Sequence, residues 1–286
     1  MNHEEWTDVQ TETEVTVDGH HLTVAFRDEG PEDPEDTLLF VHGVPTWSYL
    51  WRDVAPAFED DYRVVVPDML GYGNSASHDG FDRSIRAQEA MLEQLLDDLG
   101  EESVTVVAHD IGGGAALRLA AHSPDRVHRF VASNIVCYDS WPVEFVSNLG
   151  LPDTTDLDDD AFEEKLDFAF AEGAHGEADP EFVEGMKAPW LREGGKTAIS
   201  RAAVATNTNH TTEIPYEDID VDLLCLWAKD DVMQPIEYGE RLADELGGEV
   251  VELGDAFHWV VEDRSDAYRE ELGRFLTETD TTGERE

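Results

Sequence analysis

The strongest constraint on this chain is a set of short, unbroken apolar runs, each about one strand long and each ended by polar or small residues. Thr37 to Val41 stops at His42-Gly43, Arg63 to Pro67 at Asp68, and Val104 to Ala108 at His109-Asp110. Phe130 to Val136, Leu223 to Trp227 and Glu249 to Leu253 continue the series. None alternates polar with apolar, so each predicts a strand buried on both faces. Helical patterns fall between them. Ile85, Met91, Leu92, Leu95, Leu96 and Leu99 keep a helical period, and Gly100 follows as a stop signal. Residues 111–121 are small and helix-compatible, and Tyr268 to Leu276 is amphipathic. The opening runs 13–17 and 22–27 read as strands around an Asp18-Gly19 turn, and the polar tail Thr277 to Glu286 is expected to fray. The alternation predicts an α/β fold: a mostly parallel sheet with helices on both faces, whose ligands bind at the carboxyl ends of the strands.

The rhythm breaks between about 140 and 215. Phe162, Leu166 and Phe170 share one helix face there, Phe182 and Met186 repeat the spacing, and Gly and Pro punctuate the stretch. Residues 140–215 are therefore expected to form a helical cap over the sheet ends. The core is then 1–139 and 216–286. The cap phenylalanines Phe162, Phe170 and Phe182 suggest an apolar pocket.

Chemistry concentrates where the runs stop. Val106-Val107-Ala108-His109-Asp110-Ile111-Gly112-Gly113-Gly114 joins a buried strand to a small-residue helix. This is the setting of the nucleophile elbow, G-x-S-x-G, with Ala108 in place of the first Gly and Asp110 in place of Ser. A carboxylate needs no base to attack an sp³ carbon. It displaces a leaving group and remains as an alkyl ester, which water then hydrolyses with the help of a base. The plainer reading is that Asp110 caps the helix. Phe40-Val41-His42-Gly43-Val44-Pro45 ends a strand where this architecture places a second oxyanion donor, so the N–H groups of Val44 and Ile111 are the candidate hole. His42 is read as a brace for that loop.

Asp231, four residues before Pro235 and just past a strand, is the candidate acid to orient a histidine; Asp139, after another strand, is the alternative. His258, in the loop after the last strand, is the candidate general base. The other histidines lack such a setting. No spacing reads as a metal site, no cofactor is called for, and Cys137 and Cys225 look like small core residues.

The order Asp110, Asp231, His258, with His42-Gly43-Val44-Pro45-Thr46-Trp47-Ser48-Tyr49-Leu50-Trp51-Arg52 and Phe257-His258-Trp259 followed by Glu262-Asp263, resembles the haloalkane dehalogenase and epoxide hydrolase branch of the α/β-hydrolases. The resemblance runs from about Thr37 to Leu276. It implies a cofactor-free hydrolase with a covalent intermediate, acting on the carbon–halogen bond of a small apolar substrate, with epoxide hydrolysis as the runner-up. Two positions depart from the family. Ile111 stands where dehalogenases usually have a Trp whose N–H holds the halide, and Val44 where they have Asn, Glu or Gln. Trp47, Trp141, Trp190 and Tyr138 are the candidates to contact substrate or leaving group, Trp141 and Trp190 having core packing of the cap as their other reading. Residues 142–215 contain no Tyr, which epoxide hydrolases use to protonate the opening ring. Ester or lactone hydrolysis is a further option, and a small-molecule receptor on the same fold is the non-enzymatic one.

Composition bears on the surroundings. With 66 Asp and Glu against 19 Lys and Arg, the formal net charge is −47. Such acid-rich chains with few aromatics are usually disordered, but this one is 41% hydrophobic, which provides a core. The acids run through nearly every segment, so they read as adaptation to solvent, as in proteins of salt-in halophiles, and not as a docking surface. A phosphate-binding basic patch is missing, which disfavours nucleic acid. No apolar run approaches a membrane span, and Met1 to Gln10 is polar and unlike a secretory signal, so the expected location is the cytoplasm.

Overall fold

The computed structural model describes residues 1–205 and 207–280, the side chains of 279 and 280 excepted. Eight strands form one sheet: β1 (Thr11–Val17), β2 (His20–Glu29), β3 (Thr37–Val41), β4 (Arg63–Pro67), β5 (Val104–His109), β6 (Val127–Ser133), β7 (Asp222–Ala228) and β8 (Glu249–Leu253). Their order is β1-β2-β4-β3-β5-β6-β7-β8. β1, β2 and β4 pair antiparallel, and every pairing from β4 to β8 is parallel. The order reverses around β3, which places β5 centrally with its carboxyl end beside the loop after β3. The helices are α1 (His3–Asp8), α2 (Ile85–Leu99), α3 (Ile111–His122), α4 (Glu144–Leu149), α5 (Asp153–Asp156), α6 (Asp159–Glu172), α7 (Pro180–Lys187), α8 (Gly195–Val204), α9 (Asn209–Thr212), α10 (Ile236–Leu246), α11 (Val260–Asp263) and α12 (Ser265–Asp280).

The continuous apolar runs are strands for the expected reason: β3 and β5 are buried at every residue. α2 begins at Ser84, whose side chain accepts from the Ala87 N–H, and ends at Gly100 in the left-handed region, as its stop signal requires. Two expectations need correction. The run Phe130 to Val136 is strand only through Ser133, which pairs with His109; Asn134, at φ 48°, turns the chain away. Ile135 and Val136 are apolar because they pack the turn after β5. A Cβ on Gly113 would lie 2.2 Å from Ile135, and the Val136 N–H donates to the Asp110 carbonyl. The tail expected to fray from Thr277 is helix through Asp280, and its remainder lies outside the described residues.

Between β6 and β7 the described residues form only helices and loops, α4 to α9. Phe162, Leu166, Phe170, Phe182 and Met186 are all buried. Three indoles fasten this layer to the core loops. Trp47 Nε1–H donates to the Gly185 carbonyl (2.9 Å), Trp190 Nε1–H to Pro45 (2.8 Å) and Trp259 Nε1–H to Phe170 (2.8 Å). Asp68, at the end of β4, is fully buried and accepts from the Ser48 and Asn74 backbone N–H groups and from Gln10 Nε2. That one carboxylate ties the loop after β3 to the loop after β4. Among the described residues no helix is long and apolar enough to cross a membrane, and no group of three or more His, Cys, Asp or Glu is placed to hold a metal ion.

Candidate active site

Asp110 sits between β5 and α3 at φ 52°, ψ −129°, a conformation a non-glycine residue holds only when its surroundings enforce it. The Asp110 carbonyl accepts from the Gly113 and Val136 N–H groups. The approach of neighbouring backbone explains the glycines. A Cβ on Gly43 would lie 2.3 Å from Asp110 Cβ, and one on Gly112 would lie 2.2 Å from the His42 carbonyl oxygen. The side chain makes no hydrogen bond to the first turn of α3, so the helix-cap reading of Asp110 fails. Its two oxygens have different neighbours. Oδ1 accepts from the Val44 N–H at 2.7 Å, while Oδ2 faces His258 Nε2 at 3.7 Å, beyond hydrogen-bond length. Ile111 is the first residue of α3, where helical N–H groups have no partner within the helix.

His258 lies between two carboxylates. Its Nδ1 is 2.8 Å from Asp231 Oδ2, and both side chains are buried. Burial works against a charged imidazole, but Asp231 on one side and Asp110 on the other hold the His258 pKa up, to about 10. Burial likewise works against the Asp231 carboxylate. The His258 charge and hydrogen bond, the Met233 N–H and the Asn134 amide outweigh it and lower the pKa. Asn134 Nδ2 donates to Asp231 Oδ2 at 2.6 Å while its Oδ1 accepts from the Ala228 N–H at 3.1 Å. Asp139, the alternative acid, is exposed and accepts instead from the Tyr238 hydroxyl at 3.4 Å. The chain turns at Asn134, so Asn134 and not Asp139 stands at the end of β6 beside Asp231.

The other two histidines nearby are structural and neutral. His42 Nδ1 lies 2.9 Å from the Gly43 carbonyl and Nε2 accepts from the Met69 N–H at 2.9 Å. Burial lowers its pKa to about 4. His109 Nε2 lies 2.9 Å from the His258 carbonyl, so that nitrogen carries the proton; burial and the neighbouring imidazole of His258 lower its pKa to about 4. Asp263 accepts from the Phe257 and His175 N–H groups, which fixes the loop bearing His258.

Of the four candidates to grip a leaving group, three are engaged elsewhere. The N–H groups of Trp47 and Trp190 are given to backbone carbonyls, as above. Tyr138 donates its hydroxyl to Glu245 Oε2 at 2.8 Å, beneath the Arg241 guanidinium 3.6 Å from its ring centre. The polar hydrogens of these three side chains are therefore spent on seams between segments. Trp141 differs: its indole nitrogen is buried with no hydrogen-bond partner. Asn134 and Tyr72 were not singled out from the sequence. Asn134 stands just past the end of β6, and adjacency to a strand end was the available signal.

The family model described as alpha/beta hydrolase fold matches residues 36–265. A cis-3-alkyl-4-alkyloxetan-2-one decarboxylase of Shewanella oneidensis is 26% identical over 283 residues, covering 88% of this chain and 85% of that protein. A haloalkane dehalogenase of Psychrobacter cryohalolentis is 38% identical over 117 residues, 40% of this chain and 38% of that protein. Among solved structures, an alpha/beta hydrolase fold protein from Burkholderia ambifaria superposes with a TM-score of 0.81 at 26% identity, covering 91% of this chain and 96% of that one.

Proposed function

The chain belongs to the alpha/beta hydrolase fold family, and on that premise we propose that it is a cofactor-free hydrolase in which Asp110 attacks the carbon of a carbon–halogen bond in a small apolar substrate. The observation that carries this reading is the inequality of the two Asp110 oxygens. Oδ1 is held by the Val44 N–H, and Oδ2 is left without a hydrogen bond and turned towards His258. Oδ2 forms the new bond to carbon as the halide leaves with the bonding electrons. The product is an ester whose carbonyl oxygen is Oδ1, already in contact with Val44, with the Ile111 N–H as second donor.

Esterification removes the Asp110 charge, and with it part of what keeps His258 protonated. His258 then gives its proton to solvent, and the neutral imidazole is the base that takes a proton from water. Water attacks the carbonyl carbon, the oxyanion forms on Oδ1, and collapse expels the alkoxide, which takes the second water proton and leaves as the alcohol; Asp110 returns as a carboxylate and His258 keeps the proton it took. Asp231 orients His258 and stabilises its charged form. Residues 140–215 serve as the cap that closes the pocket, with Trp141 as the leaving-group donor whose N–H is unspent.

A second reading is favoured by the oxetan-2-one decarboxylase, which matches most of the chain where the dehalogenase matches less than half. The same attack at an sp³ ring carbon of a cyclic ester expels a carboxylate in place of a halide. The protonated resting state of His258 suits an oxygen leaving group. The deciding experiment offers the protein 1-bromobutane, 1,2-epoxybutane and a cis-3,4-dialkyl oxetan-2-one in ¹⁸O water at high salt. Halide release, with ¹⁸O entering the Asp110 peptide after several turnovers, is expected. Carbon dioxide from the oxetanone without halide release would move the assignment to the second reading. Tight binding of all three without turnover would make the protein a receptor.

Asn134 is a positioning residue in this scheme, since it touches only Asp231. Asn134→Ala is expected to lower kcat about tenfold with KM within about twofold of wild type. It should also move the pH profile of the hydrolytic step, which a loss of packing alone would not do. Unchanged kcat and pH profile would remove Asn134 from the mechanism.

A further inference from the structure

Trp259 stands directly after His258, fully buried, and gives both of its N–H groups to one segment of the cap. Its backbone N–H donates to the Gly173 carbonyl at 2.9 Å and its indole N–H to the Phe170 carbonyl at 2.8 Å. Phe170 lies in the last turn of α6 and Gly173 is its C-cap, where helical carbonyls lack partners within the helix. The same segment reaches the base loop a second way. The His175 N–H donates to Asp263 at 3.0 Å, and Asp263 also holds the Phe257 N–H at 2.9 Å. The residues on both sides of His258 are thus tied to residues 170–175, one directly and one through a shared carboxylate. The His258 ring is flanked by the His109 ring at 4.7 Å and the Trp259 ring at 4.8 Å. The contact has no slack: a Cβ on Gly173 would lie 2.3 Å from Trp259 Nε1. The loop that presents the Val44 N–H to Asp110 is fastened to a different part of the cap, through Trp47 to Gly185 and through Trp190 to Pro45.

We propose that Trp259 is a positioning residue through which residues 170–175 hold His258 for hydrolysis of the ester, so that this arm of the cap governs the second half of the reaction and not the first. The proposal rests on the covalent scheme above and adds to it a division of roles within the cap. Attack by Asp110 needs no base, so it tolerates a displaced imidazole. Hydrolysis does need one, and a base shifted by about 1 Å from its water loses much of its effect. Trp259 acts through His258, by fixing the backbone and the ring next to it. The groups that face the His258 ring are Asp231, Asp110 and His109. An imidazole that slips from Asp231 gives up the charge that favours its protonated form.

The test follows the Asp110 ester by rapid-quench intact-mass spectrometry with 1-bromobutane, so that its formation and its decay are timed separately. Gly173→Ala drives a methyl group against the Trp259 indole. It is expected to slow ester decay by about 10- to 100-fold and to leave ester formation within about threefold of wild type. The rise of ester decay with pH should also begin at lower pH, which a loss of packing alone would not produce. Adding Trp259→Phe removes the indole nitrogen that the methyl meets, so the double variant should recover part of the lost rate. Trp259→Phe alone keeps a ring beside His258 and loses one hydrogen bond, with decay expected to be about three- to tenfold slower. It carries the test if Gly173→Ala does not fold. Wild-type ester decay in both variants, or formation and decay slowed by the same factor, would overturn the role of Trp259 while leaving Asp110 as nucleophile. An ester that forms neither in these proteins nor in His258→Gln would overturn the dehalogenase reading and the proposal with it.

Discussion

His258→Gln is expected to turn over about once and stop: about one equivalent of halide is released per protein, and the Asp110 peptide gains the mass of the alkyl group. Steady-state turnover should fall by about 10³-fold or more, because the ester forms without a base but its hydrolysis needs one. Asp110→Ala should show neither burst nor adduct. A His258→Gln protein with wild-type turnover, or an adduct on any other residue, would sink the covalent scheme.

The substitution also changes stability, and in a direction that can be stated. The folded pKa of His258 is raised from 6.5 to about 10, so the stabilisation from its charged form is complete below about 6.5 and lost as pH rises through about 10. The pKa of Asp231 is lowered from 3.8, so its contribution is present above that value and lost as pH falls through the folded value. The pair is therefore worth most between about pH 4 and 6.5. Across pH 6.5 to 10 the wild type should lose stability, and His258→Gln, lacking the titrating group, should show a flatter profile there. Removing the cation leaves two buried carboxylates facing each other, so the variant should be less stable at neutral pH by about 3–5 kcal/mol. Parallel unfolding curves separate that loss from the kinetic trap.

The second large effect comes from the charge of −47. At about 10 mM salt the screening length is about 30 Å, comparable to the whole domain, and at molar salt it is a few ångströms. The acids ignore the usual helix-end preference. The last turns of α2, α6 and α10 hold Asp98, Glu172 and Asp244 and no basic residue, so carboxylates meet the negative helix ends. The cations are already engaged close at hand: Lys187 with Glu163 and Asp167, Arg63 with Asp28 and Glu101, Arg118 with Glu89 and Glu213. The Tm in 10 mM KCl is expected to lie about 10 °C or more below that in 2 M KCl. Replacing Asp98 and Asp244 with Lys should narrow that gap. Equal Tm values at the two salt concentrations would refute the reading of the acidic surface as adapted to brine, and would leave the chemistry at Asp110 untouched.

How legible the molecule was depended on how local each signal is. The β3, β4 and β8 runs and the helix α2 have the expected bounds, because hydrophobic period and a terminal Gly or His-Gly act over a few residues. β6 was misjudged at its end because an apolar residue reports burial and not strand pairing. Ile135 and Val136 are buried against the turn that carries Asp110, not in the ladder.

The same division runs through the site. Residue type and position alone marked Asp110, Asp231, His258 and Val44 as candidates, since each stands where a strand stops and a loop begins. Which indole N–H is spent could not be read that way. Trp47 meets Gly185, Trp190 meets Pro45 and Trp259 meets Phe170, each across a long stretch of chain, while Trp141 meets no acceptor. Asn134 beside Asp231 and the unpaired hydroxyl of Tyr72 belong to the same class. The sequence by itself determined the layered α/β framework and the chemical types at its strand ends, because backbone period and side-chain chemistry are properties of the local chain. The tertiary structure alone decided which polar groups are satisfied and which are buried without a partner, because a hydrogen bond is settled by whatever distant segment packing brings within 3 Å or so.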